Sequence, residues 1–384
     1  RKALEENMYY GLKESQFHFL KQNMVPAVIN MKGEIDFDPV TGKMTTKPHG
    51  HGESHLLMHK SGLAKKLKEE GYEWIVFFND TNPLAFRFLP SFLGVGKEHD
   101  LETLYVCVKR KPGEAIGGVC QVNLEGKDLI TNVEYNVLEK LGQKHPEPVD
   151  EEGYSKLPGN VNLIIISLKT YYQTLNHTHG IVPEFINPKF QSDGHTLKSA
   201  TRMETLISEY TFLLKDCKKV GAVQCERLMC FTCAKNEISL GQQRQAKNLS
   251  TETCGACQFD YYHHNKTLLE KLGVNFEQGH ETCTLEGIKY DIGPRVILHP
   301  SFGATLGSLE EKIGQNVKVS SKSFLELEGD IVLENFELDG SCRLSNRSYH
   351  RTTVDGHKCT TGKYVTFHPI EKNEMVSYDD VIRG

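Results

Sequence analysis

The run Trp74-Ile75-Val76-Phe77-Phe78 is the strongest constraint on how this chain can fold, because it places five apolar residues in succession. A strand of that kind is expected to be buried on both faces, and a sheet covered on both sides needs helices above and below it. Helical patterning stands directly upstream. Between residues 55 and 70, Leu56, Leu57, Leu63 and Leu67 recur at helical spacing, opposite a side bearing Lys60, Lys65, Lys66, Lys68 and Glu69. Gly71 ends that helix, and the charged side reads as a solvated face. Further strands are expected at 103–108, 119–122, 129–135 and 162–167, with helices at 168–175 and 202–214. This alternation is the mark of an α/β domain.

After about Val274 the texture changes. Val317-Lys318-Val319, Phe324-Leu325-Glu326-Leu327 and Ile331-Val332-Leu333 are short strands at close intervals, punctuated by Gly329 and Gly340. They predict a β-rich C-terminal domain of stacked, β-helix-like character, with repeats too irregular to fix a period. The expected domains are therefore 1–273 and 274–384. The stretch 234–250, rich in Gln, Asn, Lys and Ser, reads as a mobile loop.

Composition narrows the function classes. With 384 residues, 38% hydrophobic and 25% charged, the chain has material for more than one core and is not wholly disordered. A formal charge of −5 argues against a nucleic-acid partner. The longest apolar runs fall far short of a membrane span, so no membrane association is expected. No charged segment followed by an apolar one opens the chain, which argues against a secretory signal. Eleven cysteines, an odd number, make a poor disulfide framework. Free thiols in a reducing, cytoplasmic setting are expected, and the five Asn-x-Ser/Thr sequons at Asn79, Asn176, Asn248, Asn265 and Asn346 then carry no meaning. The first residue is Arg1 rather than Met, and a segment upstream of it is expected to be missing.

The densest polar cluster is Lys47-Pro48-His49-Gly50-His51-Gly52-Glu53-Ser54-His55. Its two glycines allow close backbone approach to a ligand, and the helix that follows offers free N–H groups to an anion. Three histidines and a lysine add donors. Phosphate contact is the favoured reading, ahead of an ordinary polar turn and of a metal site built on His49, His51 and His55. A second cluster, Asn79-Asp80-Thr81-Asn82, follows the apolar strand at its carboxyl end, where ligands gather in open α/β sheets. Asp80 suits Mg²⁺ held together with substrate phosphates, though it would serve equally as a helix cap. Gly117-Gly118, Asn132-Val133-Glu134-Tyr135-Asn136, Pro158-Gly159-Asn160-Val161-Asn162 and Asn187-Pro188-Lys189 carry the directional donors and acceptors that sugar hydroxyls need. Each alone is commoner as turn chemistry. Neither a P-loop nor a GxGxxG motif occurs.

Cys230-x-x-Cys233 and Cys254-x-x-Cys257 have the spacing of a four-thiolate zinc site. Against zinc, Met229-Cys230-Phe231 looks like a strand in which cysteine is a small core residue, and that reading is preferred. A disulfide would need an oxidising compartment and ranks lower still.

In order along the chain, these clusters resemble the UDP-sugar pyrophosphorylases, relatives of the UDP-glucose and UDP-N-acetylglucosamine pyrophosphorylases. The matching stretches are FHFLKQ (17–22), TKPHGHGESH (46–55), FFNDTN (77–82), EAIGGVC (114–120), NVEYN (132–136), PGNVN (158–162), EFINPK (184–189) and LKSATRMET (197–205). The resemblance implies a glycosyltransferase-A-like mixed α/β domain and a reaction in which UTP and a sugar 1-phosphate give a UDP-sugar and pyrophosphate with Mg²⁺. It further implies that Gln22 and the Gly50 backbone read uracil and that His51 contacts the phosphates. Asp80 or Asn82 would serve Mg²⁺. Gly117, Gly118, Glu134, Asn160 and Asn162 would hold the sugar, with Asn187 and Lys189 beside it, and Lys235 would bind the transferring phosphate from a mobile loop. Two departures stand out. The family's Leu-x-Gly-Gly-x-Gly-x-Arg loop is absent from this sequence, so the chain alone is expected to be an inactive fragment. Cys233-Ala234-Lys235 stands where relatives usually carry Pro-Val-Lys. The TKPHGHG and NVEYN forms favour broad sugar range over a dedicated UDP-N-acetylglucosamine pyrophosphorylase. A non-catalytic UDP-sugar-binding remnant and a zinc-stabilised interaction module are the remaining alternatives.

Overall fold

The computed structural model describes residues 1–187, 190–191, 196–279, 281–348, 350–359 and 363–367. It divides into two compact units, one of residues 1–77 and 98–223 and the other of 78–97 and 224–384.

The first unit is built on two sheets. A small antiparallel sheet joins β1 (Met24–Val28) to β2 (Thr46–Pro48) and to the later strands β8 (Phe185–Ile186) and β9 (Thr201–Glu204), in the order β2-β1-β9-β8. The larger sheet contains β3 (Trp74–Phe77), β4 (Thr103–Val108), β5 (Gly118–Leu124), β6 (Lys127–Val133), β7 (Gly159–Ser167) and β10 (Val220–Cys225). Its hub is β7, which pairs antiparallel with β3, with β4 and, at Gly118↔Gly159, with β5. All six residues of β4 are buried, as the continuous apolar run TLYVCV requires. On one face, Tyr105, Ile164 and Ile166 pack with Tyr171 and Leu175 of the helix Leu168–Thr178 and with Ile207 and Tyr210.

Several expectations need correction. The apolar strand ends at Phe77 and is half-buried along its length rather than covered on both faces, and Phe78 is exposed. The single helix expected over 55–70 is two, Glu53–Lys60 and Leu63–Glu69, broken where Gly62 adopts φ +71°. The helix expected over 202–214 is instead β9 followed by a 3₁₀ turn, Ile207–Leu213. Here pairing with β1 (Ala27↔Arg202) and β8 (Phe185↔Glu204) overrides local propensity.

In the second unit, short parallel ladders form three runs among the described residues. One comprises Arg295–Leu298, Phe324–Gly329, Ser341–Asn346 and Lys363–Phe367; another comprises Asn275–Phe276, Lys318–Val319, Glu337–Leu338 and Lys358–Cys359; the third pairs Ile331–Glu334 with Thr352–Asp355. Leu325 and Leu327 point inward, while Glu326 and Glu328 face outward to His299 and Arg343. The change of texture near Val274 thus marks the onset of the ladders. The compact unit begins earlier, because Leu268 and Leu269 of the helix Cys254–Lys271 share a core with Val296 and Leu298. That helix starts at a Thr253 cap, whose hydroxyl accepts the Ala256 N–H. The expected loop 234–250 contains the helix Ile238–Gln245, and Met229 and Cys230 lie in the short helix Arg227–Cys230 rather than a strand.

Candidate functional site

In the first unit, the turn His49–Gly52 is held between two other segments. Gln22 Oε1 accepts the Gly50 N–H at 3.0 Å, so the two groups assigned to uracil satisfy each other. On the opposite side, Thr205 N–H donates to the His49 carbonyl and Gly52 N–H to the Thr205 carbonyl. This close approach accounts for the glycines. Gly50 has φ +107°, and a Cβ there would lie 2.6 Å from the Thr205 oxygen; one on Gly52 would lie 2.6 Å from the Leu206 nitrogen. Both glycines therefore let one backbone segment approach another, a role distinct from the ligand approach expected of them.

The three histidines separate by environment. His51 Nδ1 accepts the Ile207 N–H at 3.0 Å, which leaves the proton on Nε2, and burial holds the imidazole below its ordinary pKa. It is a neutral donor. His55 is fully buried between the Tyr171 hydroxyl and the Ile207 carbonyl, and burial lowers its pKa to about 4. His49 pairs with Glu184 at 2.9 Å, and Lys47 donates to the Ala200 carbonyl. His55 is therefore a core residue rather than a phosphate or metal ligand, and Lys47 is engaged within the protein.

The polar groups expected around a sugar are brought together by sheet register. Val119↔Asn132 and Gly118↔Gly159 align the ends of three adjacent strands, and Asn160 N–H donates to the Gly117 carbonyl at 2.9 Å. Asn132 donates to Glu134 at 2.6 Å and Asn160 to Asn162 at 3.1 Å. Gly117 is required there, since its Cβ would lie 2.2 Å from Asn132 Oδ1. That oxygen is buried without a hydrogen-bond partner among the described residues, an acceptor suited to a ligand hydroxyl. Asn187 donates to Glu204 at 2.7 Å, and Glu204 also pairs with Arg202. Glu209 stands near both Glu134 and Glu204, and burial, reinforced by these carboxylates, raises its pKa to about 7. Arg202, Glu204 and Glu209 are additions to the expected set. Arg202 and Glu204 lie in the quoted motif LKSATRMET, but only the fold shows their partners. Lys189 lies outside the described residues.

In the second unit, the Asn79–Asn82 turn and the Lys235 segment are tied together. Asn82 donates to the Cys230 carbonyl at 2.9 Å and its Oδ1 accepts the N–H groups of Leu84 and Thr232, each at 3.2 Å. Ala234 N–H donates to the Thr81 carbonyl at 3.1 Å, and Lys235 N–H to the Glu252 carbonyl at 2.8 Å. Asn82 is thus committed to bracing, whereas Asp80 and the Lys235 side chain are exposed. Of the four cysteines of the zinc reading, Cys257 has Cys233 and Cys254 as neighbours, while Cys230 is paired elsewhere. Cys230 Sγ is buried against Cys225 Sγ, Cys233 Sγ lies against Thr81, and Cys254 is exposed. Among the described residues no three His, Cys, Asp or Glu side chains group as a metal site. Nor is any described helix long and apolar enough to cross a membrane.

Residues 2–268 match the family model described as UTP–glucose-1-phosphate uridylyltransferase. UDP-sugar pyrophosphorylase from Oryza sativa subsp. indica is 32% identical over 364 residues, covering 93% of this chain and 59% of that protein. The Arabidopsis thaliana UDP-sugar pyrophosphorylase is 32% identical over 346 residues, covering 88% of this chain and 56% of its own length. The chain thus spans less than two thirds of these relatives. In fold it is similar to the Trypanosoma brucei UDP-N-acetylglucosamine pyrophosphorylase, with a TM-score of 0.54 at 20% identity over 71% of this chain and 52% of that one. A motif set held in register by the sheet, together with a family match over most of the chain, makes this protein a member of the UTP–glucose-1-phosphate uridylyltransferase family.

Proposed function

We propose that this chain works in uridylyl transfer, joining UTP and a sugar 1-phosphate into a UDP-sugar and pyrophosphate on a glycosyltransferase-A-like domain followed by a β-helix-like one. The observation that carries the reading is the tie between the Asp80 turn and the Lys235 segment through Asn82 and the Ala234–Thr81 hydrogen bond. A phosphate oxygen of the sugar phosphate attacks the α-phosphorus of UTP in line, and the bond to the β-phosphate oxygen breaks to release pyrophosphate. Such a transfer needs positioning and charge neutralisation, and no covalent nucleophile.

Gln22 and the Gly50 backbone exchange their mutual bond for the uracil edge, and His51 Nε2–H donates to a phosphate oxygen. Glu134, Asn160, Asn162 and Asn187, with the Gly117-Gly118 backbone, hold the sugar hydroxyls, and Lys189 belongs with them. Asp80, an exposed hard-oxygen donor beside an Asn82 already engaged, fits the single carboxylate with which Mg²⁺ is held when phosphates complete its shell. When bound, Mg²⁺ neutralises phosphate charge. Lys235 takes the transferring phosphate. The names of the rice and Arabidopsis relatives favour broad sugar range; comparing glucose 1-phosphate with N-acetylglucosamine 1-phosphate as acceptors decides against or for the narrower alternative.

The test is pyrophosphate release from UTP and glucose 1-phosphate across a Mg²⁺ titration. Asp80→Asn is expected to raise the Mg²⁺ concentration for half-maximal rate by ~10-fold or more, the loss of one charged ligand. An unchanged Mg²⁺ dependence would remove Asp80 from the role, and UDP-sugar binding without turnover would favour a binding protein.

A further inference from the structure

We propose that Cys225 and Cys230 form a reversible disulfide with an oxidant of the glutathione-disulfide class, and that this bond controls the backbone segment leading to Lys235. The two sulfurs stand 2.8 Å apart, whereas a disulfide needs about 2.05 Å, so closure moves them by about 0.8 Å. Cys225 ends β10 and is half-buried; Cys230 ends the following short helix and is fully buried. The obvious competitor, Cys233, is turned towards Thr81 Oγ1, at 3.9 Å.

The chemistry balances by exchange. The Cys225 thiolate, the more accessible of the two, attacks one sulfur of glutathione disulfide and displaces a glutathione thiolate. The Cys230 thiolate then attacks the Cys225 sulfur of the mixed disulfide and displaces the second. Two protein thiols and one glutathione disulfide become a protein disulfide and two glutathione thiols.

Cys230 is also where the brace of the second unit begins. Its carbonyl accepts from Asn82, and the N–H groups of Thr232 and Ala234 are tied to Asn82 and Thr81 in turn. Drawing the Cys230 sulfur towards Cys225 loads these ties at their first member, between the Asp80 turn and Lys235. Displacements of about 1 Å in a reacting constellation cost up to ~100-fold in rate. This consequence for turnover rests on the roles given to Asp80 and Lys235 under Proposed function; the disulfide itself does not.

The test treats the purified chain with glutathione disulfide, blocks remaining thiols, and digests with trypsin. Cleavage after Lys219, Arg227 and Lys235 separates Cys225 and Cys230 onto two peptides, 220–227 and 228–235. The expected product is these peptides joined, with fragment ions placing the link at Cys230. It should disappear on reduction and be absent from Cys225→Ser. Amide hydrogen exchange at Thr232 and Ala234 should differ several-fold between oxidised and reduced protein, and turnover of UTP with glucose 1-phosphate should fall ~10-fold on oxidation and recover on reduction. Cys225→Ser should keep its turnover under oxidant. No joined peptide, or a link at Cys233, overturns the disulfide. A joined peptide with unchanged amide exchange overturns its control of the segment. Altered exchange with unaltered turnover leaves the disulfide standing and overturns the role of Lys235 instead.

Discussion

The backbone of Ile207 meets two histidines. Its N–H donates to His51 Nδ1 and its carbonyl accepts from His55 Nε2, each at 3.0 Å, so both rings are neutral and carry their proton on Nε2. For His55 that proton is consumed inside the core, and for His51 it remains available to an acceptor. Glu209, two residues beyond Ile207, shows the same control by environment. Burial raises its pKa from 4.5 to about 7. A carboxyl whose folded pKa exceeds its unfolded value contributes stability that is fully present below the unfolded value and is lost as pH rises through the folded one. The thermal midpoint of the wild type is therefore expected to fall between about pH 5 and pH 7.5 by an increment that Glu209→Gln lacks. Scanning calorimetry across that range checks this; parallel curves would mean that Glu209 ionises as freely as in the unfolded chain.

Among the elements, the ones legible in the sequence were those whose burial pattern is local. The largely apolar β4, the helix after β7 and the β-rich texture beyond Val274 all announce themselves through local residue pattern. What was not legible depends on partners distant in the chain. Thr201–Glu204 is a strand only because β1 and β8 flank it, and no property of TRME by itself separates that outcome from a helix. The cysteine spacing is uninformative for a related reason: it counts residues, whereas the short helix Arg227–Cys230 brings Cys230 against Cys225. At the candidate site the residue types could be read, but their division of labour could not. Asp80 and Asn82 look interchangeable in sequence, and only the bonds to Cys230, Leu84 and Thr232 show that Asn82 is a brace. Asn82→Ala is accordingly expected to reduce kcat by ~10- to 100-fold with KM for UTP altered much less, because it releases the Lys235 segment and leaves binding groups intact. Steady-state kinetics distinguishes this from a rise in KM alone, which would place Asn82 in ligand binding.

On the scale of the whole molecule, the chain is divided into two compact units, each with its own core and its own set of candidate residues. Recognition groups cluster where β5, β6 and β7 end and around the His49–Gly52 turn, while the exposed carboxylate and lysine belong to the second unit. The ladders of the second unit carry their own core and outward ion pairs, so the braced segment is attached to an independently packed body. Lys235 offers the most direct test, since it is proposed to act on the transferring phosphate and not on the base or sugar. The decisive measurement is pyrophosphate release from UTP and glucose 1-phosphate with Mg²⁺ by the wild type and Lys235→Ala. The expected result is a kcat at least ~100-fold lower in the variant with KM for UTP within about threefold, the pattern of an interaction made mainly in the transition state. Equal turnover by the two proteins would contradict the assignment of Lys235 to the transferring phosphate.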